Sequence, residues 1–141
     1  MSKQFFWAFR HFLSNIPSIN RGGCAIAALA MYKLGKSLGM NVQIMYLYND
    51  SFRYSQNQMA KEGKDNPTGC HHAIIILDNM YFLDSTKDVN IYKYDYRHVV
   101  SEELVRSSLV QDAWNPDFDR IRYLREIEDV LGEKLLISQY G

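Results

Sequence analysis

Apolar side chains recur along this chain with two periods, one near 3.6 residues and one of two, and the change-overs between them mark the expected elements. Over residues 3–14, Phe5, Phe6, Phe9, Phe12 and Leu13 fall at helical spacing, which predicts an amphipathic helix with an aromatic face. Ile16-Pro17-Ser18-Ile19 closes it, because proline disfavours helical geometry in the residue before it. From Ala25 to Leu34 the chain is apolar on every side until Lys33, the pattern of a central helix packed all round, with Gly39 as its stop. Val42 to Tyr48 is β-branched and aromatic and predicts a strand, halted by Asn49-Asp50-Ser51.

Residues 49–69 are polar, with Gly63, Pro67 and Gly69, and read as a long loop of the kind that often serves as a lid. His71 to Leu77 and Met80 to Asp84 are apolar runs around Asp78-Asn79 and predict a β-hairpin. Asn90 to Tyr96 alternates Ile91, Lys93 and Asp95 with Tyr92, Tyr94 and Tyr96, which predicts a further strand. Ser101 can cap a helix running to about Ala113, and Asn115-Pro116-Asp117 can open another, with Phe118, Ile121, Leu124, Ile127 and Leu131 on one stripe and Gly132 at its end. With no internal repeat or linker, the order predicts one α+β domain over residues 1–141.

Composition narrows the function classes. Apolar residues make up 47% of the 141 and charged ones 23%, which excludes whole-chain disorder. Sixteen basic side chains balance sixteen acidic ones, so the excess positive field of a general nucleic-acid coat is missing. The charge is unevenly spread, however: residues 1–72 carry a net charge of +5 and residues 73–141 a net charge of −5, as expected of two complementary halves. The longest apolar stretch, Ala25 to Tyr32, is eight residues, against the roughly 20 needed to cross a bilayer, so no membrane association is expected. Two cysteines, Cys24 and Cys70, are too few for a disulfide scaffold, and Arg10 and His11 cut the apolar Phe5-Phe6-Trp7-Ala8-Phe9 run that an export signal would need. The expected setting is cytoplasmic and reducing, with free thiols.

Three chemically able side chains occur in an informative order: Cys24 at the start of the buried helix, His71-His72 at the start of a buried strand, and Asp84 at the end of the next. The unpaired N–H groups and positive dipole end of a helix favour a thiolate. A histidine beside the thiol can take its proton and return it to a leaving group, while a carboxylate on the far ring nitrogen orients the imidazole. Gly22 and Gly23 allow close approach of a substrate, and the Cys24 N–H and the Asn20 side chain are candidate oxyanion donors. The hairpin turn decides which histidine shares a face with Asp84. A turn of Asp78-Asn79 favours His71, and one of Asp78-Asn79-Met80 favours His72.

This order resembles the papain-like cysteine peptidase superfamily, and within it the transglutaminase-like branch, through Gly23-Cys24-Ala25, His72-Ala73-Ile74 and Leu83-Asp84-Ser85. The resemblance spans about residues 20–86 and favours His72 over His71. Ala25 and Ala73-Ile74 stand where the branch often has aromatic residues, and Ser18 and Asn20 stand where papain-type enzymes carry a glutamine. The resemblance implies a helix bearing Cys24 packed on a small antiparallel sheet. It also implies a thiol-dependent acyl hydrolase or acyltransferase, protease- or amidase-like, with Cys24, His72 and Asp84 as triad and no cofactor. The substrate would be protein or peptide-like, with an amide, thioester or isopeptide carbonyl.

Other readings compete. The same fold with an inactive cluster would serve as a protein-interaction module, binding through the aromatic first helix and the tyrosine strand. Cys70 and His72 could both touch zinc, but the paired ligand spacings of a structural site are missing, and no metal is expected. Tyr92, Tyr94 and Tyr96 could stack single-stranded nucleic acid, yet without net positive charge they read as an ordinary sheet face. His11 and His98 read as surface or packing histidines, and Arg120, Arg122, Arg125, Glu126, Glu128 and Asp129 as a solvated helix face.

Overall fold

A computed structural model describes residues 2–17, 19, 23–49, 72–109, 122 and 125–132 of the chain. Helix α1 (Ser2–Ser14) buries Phe6, Phe9 and Leu13 completely, one stripe of its surface, and leaves Trp7 about two-fifths exposed. Much of the aromatic face expected to meet a partner is therefore core. Asn15 and Ile16 donate their N–H groups back to Phe12 and Leu13 carbonyls, tightening the last turn before Pro17.

Helix α2 (Cys24–Ser37) is buried from Ala25 to Met31 without a break, as its apolar sequence requires. Its end is a Schellman motif: Gly39, at φ +75°, donates to the Lys36 carbonyl while Met40 donates to Gly35. Gly35 lets the helix lie close on the sheet, since a Cβ there would come within 2.9 Å of Val42 Cγ1.

The sheet is antiparallel and four-stranded, in the order β3-β2-β1-β4, with β1 (Val42–Tyr48), β2 (His72–Leu77), β3 (Tyr81–Leu83) and β4 (Tyr96–Val100). Val42, Ile44 and Tyr46 of β1, with Ala73, Ile75 and Leu77 of β2, face the helices in the main core. Val105 of α3 (Glu102–Leu109), and Ile127 and Leu131 of the helical residues 125–132, join that core. Met45, Leu47, Ile74 and Ile76 face the other way, where Ile91, Phe82, Val89 and Tyr94 cover them. This explains why both central strands read as continuous apolar runs. Ser101 caps α3 as expected, its hydroxyl accepting the Leu104 N–H at 3.1 Å.

One element departs from expectation. Residues 90–96 are not a strand: Ile91–Lys93 form a single 3-10 turn, and pairing with β1 begins only at Tyr96. The Asn90 side chain accepts the Tyr92 N–H and starts the turn, while Ile91 is drawn into the second core. The three tyrosines therefore share no face. Tyr92 is exposed under the Arg97 guanidinium, Tyr94 points to the second core, and Tyr96 stacks on Tyr48 at 5.4 Å. His98 stacks on the other partner of that ladder, also 5.4 Å from Tyr48. Among the described residues no helix is long and apolar enough to cross a membrane.

Candidate active site

Cys24 is the first residue of α2, partly exposed and with a free thiol. Its N-cap, Gly23, is buried and offers no side-chain cap; the first helical bond runs from Ala27 N–H to the Gly23 carbonyl. The N–H groups of the first turn thus have no intrahelical acceptor.

The hairpin turn gives His72 the face of Asp84. Leu77 pairs with Tyr81, Ile76 with Phe82 and Ile75 with Leu83, so Asp78, Asn79 and Met80 make the turn. Asp78 and Asn79 both take left-handed backbone, at φ 55° and 56°, the conformation these two residue types tolerate best after glycine. Continuing that register puts Ile74 opposite Asp84 and gives His72 the face of the carboxylate.

His72 Nε2 lies 3.1 Å from Asp84 Oδ2. An ionised carboxylate can only accept, so Nε2 carries the proton and donates it. Cys24 lies close enough to the same ring to raise its pKa. With Nε2 taken by the carboxylate, Nδ1 is the nitrogen left to exchange a proton with Sγ. Burial alone would push His72 down, but the hydrogen bond and negative charge of Asp84, together with the neighbouring Cys24, outweigh it, raising its pKa to about 9. The ring therefore holds both protons at neutral pH.

Asp84 is fixed from several sides. Its Oδ1 accepts the Thr86 N–H at 2.7 Å, the Thr86 hydroxyl at 2.8 Å and the Lys87 N–H at 2.8 Å. Burial would raise its pKa; the His72 bond and these donors overcome that and hold the carboxyl well below the usual carboxylate range. Its own N–H donates to the Lys87 carbonyl at 3.0 Å, and its carbonyl accepts Arg10 Nε of α1 at 2.8 Å. Arg10 also lies over the Trp7 ring at 5.3 Å, and its Nη2 is buried without a hydrogen-bond partner. Nearby, burial and the negative charges of Asp84 and Cys24 push the Tyr94 hydroxyl up, so it stays neutral.

Cys24, His72 and Asp84 thus meet at one place, from a helix start, a strand start and a strand end. Gly23 is beside them, whereas Asn20, the other candidate oxyanion donor, lies outside the described residues, as do Cys70, His71 and the expected lid apart from Asn49. Among the described residues no three His, Cys, Asp or Glu side chains gather as a metal site. Sequence reasoning missed Arg10, Thr86 and Tyr94. Only Thr86 left a trace, as a turn residue two positions after an aspartate. Such an arrangement can carry a proton between a sulfur and a reacting group while holding the imidazole in one orientation. Comparison of the chain with protein-family models, curated proteins and solved structures finds no match.

Proposed function

We propose that this chain is a thiol-dependent acyl hydrolase or acyltransferase, with Cys24 as nucleophile, His72 as general base and acid, Asp84 as the residue that orients it, and a papain-like arrangement of helix and sheet. The observation that carries the reading is that one imidazole meets a buried carboxylate at 3.1 Å while a thiol lies close enough to raise its pKa. A partly exposed Cys24 supports it further, since a module with an inactive cluster has no need of an accessible sulfur.

In this reading the Cys24 thiolate, paired with the His72 imidazolium, adds to the substrate carbonyl carbon and the C=O electron pair moves to oxygen. The Cys24 N–H, at the positive end of α2, donates to that oxygen in this reading. Collapse expels the amine or thiol, which takes the proton from His72 and leaves an acyl-sulfur bond on Cys24. Water or an amine then loses a proton to His72 and adds to the acyl carbon. Breaking the carbon–sulfur bond restores the thiolate and the imidazolium. Asp84 stays ionised throughout and keeps Nε2 protonated.

Exposure to an activated acyl ester, followed by peptide mass mapping, tests the reading. The acyl group should appear on Cys24, and His72→Ala should abolish it. Acylation spread over lysines with Cys24 untouched would refute the proposal.

A further inference from the structure

Beside the triad the fold leaves a cavity of about 620 Å3, with His72 and Asp84 in its wall together with Lys87, Asp88, Lys93 and Tyr94. That size falls within the roughly 300–1,000 Å3 typical of small-molecule sites. Cys24 is not among its lining residues. The cavity thus borders the imidazole and its carboxylate rather than the sulfur.

The charges around the cavity are unequal. Asp84 is already engaged by His72 and by three donors on Oδ1. That leaves two exposed lysines against one exposed aspartate, Asp88, and none of the three pairs with an opposite charge among the described residues. Tyr94, kept neutral, adds a hydroxyl and no charge.

We propose that this cavity is the leaving-group side of the acyl-transfer site and takes a leaving group that bears a carboxylate, an inference that rests on the acyl-transfer reading above. The carboxylate would sit between the Lys87 and Lys93 ammonium groups while the departing nitrogen or sulfur lies at the imidazole. A simple alkylamine acceptor, itself a cation, would be repelled from the same place.

Iodoacetate and iodoacetamide have the same reacting carbon and differ in charge, so the ratio of their alkylation rates at Cys24 reads the field on this side of the thiol. At separations on the order of 10 Å in water each unit charge changes such a ratio roughly twofold. The double variant Lys87→Gln/Lys93→Gln should lower the iodoacetate-to-iodoacetamide ratio about threefold to fourfold, and Asp88→Asn should raise it about twofold. Both effects should vanish near 1 M salt, where screening acts over ~3 Å. Rapid alkylation of Cys24 with a ratio that none of these substitutions moves would overturn the leaving-group proposal and leave the thiol chemistry standing. Alkylation of Cys24 no faster than that of Cys70 would overturn both.

Discussion

Asp84 divides its carboxylate between two partners: Oδ2 meets the His72 ring at 3.1 Å, while Oδ1 closes a turn through Thr86 and Lys87. The turn and the contact to the imidazole are thus one device. The oxygen that satisfies the backbone fixes the direction of the oxygen that orients the imidazole.

Asp84→Asn keeps an acceptor for the turn and removes the charge. Burial, the largest influence on His72, would then be opposed by less, so the pKa of His72 should fall from about 9 toward or below 6.5. NMR titration of the imidazole protons measures it, and a value still near 9 would assign the shift elsewhere.

The pair also shapes stability against pH. His72 binds its proton more tightly when folded, so its contribution is complete below pH 6.5 and lost as pH rises toward about 9. Asp84 is shifted the other way, so its contribution is present above about pH 3.8 and lost as pH falls below that. The unfolding free-energy gap between wild type and His72→Gln should therefore be greatest between about pH 4 and 6.5 and shrink toward pH 9. Urea titrations across that range should show the decline; a gap that widens above pH 7 would contradict it.

Much of this was legible in the sequence, and the exceptions are specific. The buried helix, the hairpin and the order of Cys24, His72 and Asp84 follow from apolar period and turn chemistry. The register did not, because Asp78-Asn79 suits turns of either length and only the backbone of the folded chain chooses. The expected strand over 90–96 failed because alternation records which side chains differ and not whether a neighbouring strand is there to pair. Asn90 capping Tyr92 and Ile91 seeking the second core won. Arg10 was invisible for another reason: nothing local in a helix signals a bond to a carbonyl 74 positions away.

Arg10 acts as a positioning residue, holding the peptide of Asp84 from α1 through its Nε. Arg10→Ala should destabilise the fold by roughly 1–3 kcal/mol and also slow Cys24 alkylation and lower the His72 pKa. A stability loss with an unchanged His72 titration would make its role purely structural.

Close packing of α2 on β1 gives an independent check of the fold. Gly35→Ala should cost about 1–3 kcal/mol through the clash with Val42. Adding Val42→Ala should make the Gly35 substitution far less costly in a double-mutant cycle, and simple additivity would place the helix elsewhere.

The alkylation rate of Cys24 by iodoacetamide, compared with that of Cys70 in the same folded protein across pH 6 to 9 and repeated in His72→Ala with its fold verified by circular dichroism, tests the central claim most directly. Cys24 should react at least about tenfold faster than Cys70 near neutral pH, and removal of the imidazole should erase most of that difference. Equal, slow labelling of both cysteines, or a fast Cys24 indifferent to His72, would contradict it.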